Sequence, residues 1–563
     1  MKKLIPVIIA IALIGVIVFV NFGKTVYEKY SYGQDRADLN EYFKIYNTAD
    51  VPIVLQDALI DMSAVYVNGT CYMARDLIEE YFTDRFYLDS NENLLLYTMA
   101  DHVAEAVVGE TTYNEMGQTY DLGYPISFIK DDVLFVAVDY IKKFVNFSYE
   151  VFENPRHMQI YTEWGEKTVA DIKSDTQVRW LAGVKSDILA DVVKGETVEV
   201  LEELDDWTKV KTKESYIGYL EHSKLSEYTT VAETPVTEVN EKFVSLTEDR
   251  LINMTWHYME YPQDGYNLRE ALAGTTGINV VSPTWYWITD NEGSFKSVSN
   301  EHYVQTAHEM GIEVWALIAD FHAGIEADIN EVLSYTSKRR LFEDNLVADL
   351  LAMGADGINV DFENITVSGA DHYVQFIREL ALKCHENDLK LSVDHYAPTE
   401  YTAHYNRGAQ SKFADYIVIM GYDEHYVGSD VGSVSSIPWM KQGIENTLKY
   451  VPGEKVINAI PFYTRVWKTT DGVVESEAVD METAQNFLAK HNLTAEFDAE
   501  TNQNYAEVTL GNTFYQVWME DTDSIAIRLN VMKTYGIAGV SSWQLGQETK
   551  DVWPVIETYI NHQ

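Results

Sequence analysis

From about residue 246 to the C-terminus, eight apolar strand-like runs recur with helical stretches between them. They are Ile252–Trp256, Ile278–Ser282, Ile312–Ile318, Gly357–Glu363, Lys390–Asp394, Tyr416–Met420, Lys455–Ile460 and Gly539–Trp543. Near-continuous apolar runs of this kind suit strands buried on both faces, which means parallel neighbours joined by helical crossovers. Eight such units predict an α/β fold, a closed (β/α)8 TIM barrel spanning 246–563. One gap in the series is too long for a single crossover. A small α+β insertion is therefore expected over about 467–520, with a helix near Met481–Lys490 and a hairpin turning at Gly511-Asn512.

The fourth run, Asp356-Gly357-Ile358-Asn359-Val360-Asp361-Phe362-Glu363, carries the most chemistry. Side chains alternate along a strand, so Asn359, Asp361 and Glu363 share one face while Ile358, Val360 and Phe362 share the other. Two carboxyls and an amide turned into a barrel are costly to bury without partners. At the C-terminal end of a barrel strand, however, catalytic groups are expected. The competing reading is an edge strand with a solvated acidic face.

The chain ahead of the barrel reads as several smaller pieces. Lys2 and Lys3 precede the apolar run Leu4–Val20, so residues 1–23 are expected to form a membrane anchor, with a cleaved signal peptide as the alternative. Small residues suited to cleavage do not follow the run, which favours the uncleaved anchor, and the rest of the chain is expected outside the cell because a three-residue tail is the simpler part to leave in the cytoplasm. Residues 40–165 hold a faint repeat, Tyr72–Thr98 and Phe135–Thr162, each copy read as strand, helix and two strands. Residues 172–228 alternate apolar and polar residues in short runs between turns, an all-β pattern, and 229–245 reads as a linker.

Composition narrows the partners. Lys and Arg number 42 against 88 Asp and Glu, a formal net charge of -46, so the basic footprint that nucleic acid binding needs is missing. A glycan would have to be held by stacking and hydrogen bonds, for which 38 Tyr and 12 Trp are a ready supply. Cys71 and Cys384 offer neither a disulfide framework nor a metal-ligand spacing, and no nucleotide loop is visible. No metal or other cofactor is expected.

These motifs resemble known families. The fourth run matches the DxxDxDxE signature of glycoside hydrolase family 18, with Asn359 in place of its second Asp. Further family marks follow in order: Met420-Gly421-Tyr422-Asp423, Pro461-Phe462-Tyr463-Thr464-Arg465-Val466-Trp467, and Gly539-Val540-Ser541-Ser542-Trp543-Gln544-Leu545-Gly546. The resemblance covers about 246–563 and is nearest to the bacterial spore-germination and cortex-lytic branch. It implies a glycosidase acting on N-acetylglucosamine-containing polysaccharide, in which the substrate's own acetamido group is the nucleophile. Glu363 would then be the acid, Asp361 would hold the acetamide, and Tyr422 would bind its carbonyl oxygen. Asp356 and Asn359 would support them. Trp543 would floor the sugar site, with Asp423, Tyr463 and Met420 as further substrate contacts. Asp320 and His395 follow barrel strands and are weaker candidates. Val178-Arg179, Lys194-Gly195, Trp207–Val210 and Ile217-Gly218-Tyr219 resemble the bacterial SH3 domain, which implies either a cell-wall ligand or a spacer. The repeat of 40–165 resembles the stalk-like N-terminal domain of copper amine oxidases, without any His cluster for copper. Anchor and spacers together favour peptidoglycan over chitin, and a silent glycan-binding protein is the reading from a different class.

Overall fold

The computed structural model describes residues 5–561, with side chains described from residue 13 onward except at residue 28. The chain divides into two compact units, one comprising residues 1–84, 108–113 and 120–240, the other 85–107, 114–119 and 241–563.

The first unit contains two sheets. One has seven strands and carries part of the repeat: Thr70–Ala74 and Val133–Ala137, the opening strand of each copy, pair antiparallel with Met73 opposite Val136. Each runs directly into a short helix, Arg75–Tyr81 and Val138–Ile141. The second sheet holds the SH3-like segment in the order Ile188–Val192, Thr176–Arg179, Ile217–Glu221, Trp207–Lys211, Thr197–Glu203, Glu166–Asp171, Thr229–Ala232. Gly218 is required there, because a Cβ would lie 2.5 Å from the Arg179 carbonyl oxygen. The expectation of a linker from 229 needs correction. Thr229–Ala232 is an edge strand paired with Glu166–Asp171, since its β-branched residues complete an otherwise open sheet edge.

The division between units also runs through the 40–165 segment. The strands Phe86–Asp89, Leu94–Thr98 and Val103–Val107 belong with the barrel. There Asp89 accepts hydrogen bonds from the backbone N–H and the hydroxyl of Thr336, both at 2.6 Å, where helix Thr336–Met353 begins. Arg339 on that helix makes a fully buried ion pair with Glu379.

In the second unit the barrel strands are β1 Ile252–His257, β2 Val280–Ile288, β3 Glu313–Ala319, β4 Gly357–Asp361, β5 Lys390–Tyr396, β6 Tyr416–Met420, β7 Val456–Pro461 and β8 Gly539–Trp543. Each pairs in parallel with the next, and β8 pairs with β1, so the barrel closes. Ile358, Val360 and Phe362 pack outward among the helices, while Trp256, Trp315, Leu317 and Val418 fill the interior. The insertion starts at Tyr463, directly after β7, and forms a five-stranded antiparallel sheet with the helix Met481–Lys490 capped by Asp480. Gly511 turns the hairpin between Gln503–Leu510 and Thr513–Trp518 at φ 64°.

A helix covers Ile5–Tyr30. Of the anchor expected over residues 1–23, residues 1–4 and the side chains up to Ala12 lie outside the described residues. Among the described residues no helix is long and apolar enough to cross a membrane. Cys71 and Cys384 are both free and buried.

Candidate active site

The C-terminal ends of the barrel strands surround a cavity of about 430 Å3, and Asp361, Glu363, Met420, Tyr422, Asp423, Tyr463 and Trp543 all line it. Parity along β4 accounts for the first two, since Asp361 ends the strand and Glu363 lies two residues beyond it. Glu363 is held from several sides. Its backbone N–H donates to Asp320 at 3.0 Å, that of Asn364 to the other Asp320 oxygen at 2.8 Å, and its carbonyl accepts from the Tyr405 hydroxyl at 2.8 Å. The Tyr396 hydroxyl donates to the Glu363 carboxylate.

Burial pushes the Glu363 carboxyl above its ordinary value, with Asp320 and Asp423 adding to the rise and the Tyr396 hydrogen bond opposing it. Asp361 is pushed well above its ordinary value, first by burial and then by Asp394, Glu363 and Asp320. For Glu363, a carboxyl raised above its ordinary value is what general acid work needs.

The aromatic part of the site is set by packing. Trp256 lies 5.7 Å from Trp543 and meets Tyr422 edge-on at 6.5 Å, and Tyr422 meets Tyr463 at 6.2 Å. Gly421 lets the chain turn after β6, since a Cβ would sit 2.5 Å from the Ala459 carbonyl oxygen. Asp423 follows in the left-handed region at φ 62° and accepts from the Tyr463 hydroxyl. Trp287 stacks on His322 at 4.1 Å on the cavity wall.

Other expected residues stand apart from the cavity. Asn359 lies beneath it, fully buried, accepting from Trp256 Nε1 at 2.8 Å and Ser282 at 3.2 Å. Asp356 is at the opposite end of β4, where it accepts from the Val314 N–H and bonds His308, each at 2.8 Å, so its part is to tie the bottom of the barrel. His395 faces outward to Gln410 and is held well below its ordinary value by burial. Asp394, Tyr396, Trp256 and Trp287 were missed as site residues, although Asp394 and Tyr396 have the inward parity of Ser392 on β5. Among the described residues no group of three or more His, Cys, Asp or Glu is placed to hold a metal ion.

Comparison with known proteins decides the family. The model for glycosyl hydrolases family 18 matches residues 215–548, more than half of the chain. The chain belongs to this family. It is a glycosidase whose barrel is preceded by a bacterial SH3 domain, matched over residues 174–226. Among curated relatives, this family 18 glycosidase is 26% identical over 261 residues to an uncharacterized glycosylase, YvbX, of Bacillus subtilis, covering 44% of this chain and 76% of that one. It is 28% identical over 236 residues to a cortical fragment-lytic enzyme of the same organism, covering 40% of this chain and 54% of that one. Among solved structures, the spore cortex-lytic enzyme SleL of Bacillus cereus aligns with a TM-score of 0.51 at 18% identity, over 59% of this chain and 78% of that one. The C-terminal domain of a chitinase-type protein from Desulfitobacterium hafniense aligns at 0.51 and 21% identity, over 56% of this chain and 100% of that one. These structural likenesses bear on the fold alone.

Proposed function

We propose that this glycosidase cuts β-linked N-acetylglucosamine-containing glycan of the bacterial wall, peptidoglycan, with retention and by substrate-assisted catalysis. The observation that carries the reading is the meeting of Asp361 and Glu363 in one cavity over Trp543, with Tyr422 beside them. The acetamide carbonyl oxygen attacks the anomeric carbon while Glu363 passes its proton to the departing glycosidic oxygen. Asp361 accepts the acetamide N–H and balances the oxazolinium charge, and Tyr422 donates to the carbonyl oxygen. Water then attacks the anomeric carbon, giving its proton to Glu363, which restores the acid. Two inversions at one carbon leave the configuration retained.

Peptidoglycan is favoured over chitin by the relatives named for cortex lysis, by the SH3 domain as a candidate wall-binding module, and by the apolar run from Leu4 as an anchor facing the barrel outward. The test is digestion of purified peptidoglycan and of chitin by the full-length protein, followed by identification of the new reducing ends. N-acetylglucosamine ends from peptidoglycan support the proposal, and cleavage of chitin alone refutes the wall assignment. A mature N-terminus near residue 25, found by mass analysis, would refute the anchor.

A further inference from the structure

Asn359 cannot ionise, so the inner neighbour of Asp361 on its own strand carries no charge and no acidic proton. The register of the next strand supplies a carboxyl instead. Asn359 is level with Ser392 and Val360 with Val393 across β4 and β5. One residue further along each strand stand Asp361 and Asp394, on strands about 4.8 Å apart. Both share the inward parity of Asn359 and Ser392, both line the cavity, and they are 7% and 2% exposed.

Hydrogen bonding orients this pair. Asn359 Oδ1 already receives Trp256 and Ser282, so its amide nitrogen must face the other way. It donates to Ser392 at 3.0 Å and to Asp394 Oδ1 at 2.7 Å. One Asp394 oxygen is thereby fixed as an acceptor, which leaves the other to carry a proton. Asp361 Oδ1 is buried and meets no hydrogen-bond partner among the described residues. A buried anionic oxygen left so is costly, and a proton on the adjacent carboxyl removes the cost.

We propose that Asp394 is the positioning partner of Asp361, and that the two carboxyls share one proton, held on Asp394 while Asp361 faces the acetamide as an anion. This rests on the substrate-assisted reading above. The proton never leaves Asp394: when the acetamide N–H arrives, Asp361 exchanges its contact with that proton for the N–H, and the exchange reverses when product leaves. Other groups that act electrostatically with Asp361 are Glu363, Asp320, Tyr373, Tyr396 and Tyr422, and no Lys or Arg is among the residues lining the cavity. The imidazole of His322 is on the cavity wall, where it stacks on Trp287, and no Lys or Arg side chain stands there to neutralise the second carboxylate. Burial also holds Asp394 well above its ordinary value, in keeping with a resident proton.

The experiment uses full-length Asp394→Asn and the double variant Asn359→Asp/Asp394→Asn, which returns a carboxyl beside Asp361 from β4 itself. In Asp394→Asn, kcat is expected to fall about tenfold or more with KM little changed, and the pH profile of kcat/KM to be displaced. The double variant is expected to regain most of kcat. A purely structural role for Asp394, as the acceptor for Asn359, would leave the pH profile in place, since an amide oxygen at that position still accepts. A profile that superimposes on wild type overturns the proposal. So does a folded double variant no more active than Asp394→Asn, or an inactive folded double where the single variant does not fold. Read without turnover, the pH dependence of binding a thiazoline mimic of the oxazolinium must shift in the same variants, and an unshifted curve overturns the proposal as well. Equal rates on acetylated and de-acetylated glycan would sink the substrate-assisted reading instead, whatever Asp394 does, so the two failures are distinguishable.

Discussion

Replacing Glu363 by Gln isolates proton delivery, because the structure shows what the amide can keep. A Gln carbonyl can still accept from Tyr396, and the backbone contacts with Asp320 and Tyr405 do not involve the side chain. What is lost is the proton for the departing oxygen, for which general acid catalysis contributes roughly 10²–10⁴-fold, or about 2.7–5.5 kcal/mol of barrier. Initial rates of reducing-end release should fall by that factor while glycan binding, followed by calorimetry, stays near wild type. A substrate whose leaving group needs no proton, such as a nitrophenyl glycoside, should suffer much less. Stability supplies a second reading. The folded-state value of Glu363 is raised, so its contribution is fully present below the ordinary glutamate value of about 4.3 and is lost as pH rises through the folded value. The Gln variant escapes that loss and should melt at or above the wild-type temperature at neutral pH. Turnover within a few-fold of wild type in a folded variant would refute the assignment of the acid.

Three further outcomes are expected. Tyr396→Phe removes a hydrogen bond that lowers the Glu363 value, so the alkaline limb of the kcat/KM profile should move upward; a downward shift would contradict it. Asp361→Asn should lower kcat, and wild type should cut de-N-acetylated glycan poorly, because an ammonium at C2 cannot close an oxazolinium ring; a covalent glycosyl adduct trapped on Asp361 would exclude this chemistry. Arg528→Met should cost about 3–5 kcal/mol in denaturant unfolding, since Arg528 is fully buried, paired with Glu520 at 2.6 Å and bonded to Ser435 behind the Tyr422 loop; a loss under about 1 kcal/mol would argue against the pair.

Much of the barrel was legible because its signals are local. Each of the eight runs overlaps a strand, the second by only its last three residues, Met481–Lys490 is the helix expected there, and the parity of Asp361 and Glu363 follows from a two-residue period that neighbouring residues alone reveal. Other features depended on contacts between segments far apart in sequence. Asp356 and Glu363 are both acidic and both on the fourth βα unit, yet strand length carries one to the floor of the barrel and the other to the cavity. Asp394 and Tyr396 had the right parity, but nothing within β5 says that its register sets Asp394 beside Asp361. Thr229–Ala232 became a strand because an edge was open to it, and Phe86–Val107 joined the barrel because Asp89 accepts from Thr336 and Tyr87 from Arg339 there. Periodicity along one segment reports which face is buried; which other segment covers it is decided by register and closure, which only the assembled sheet contains.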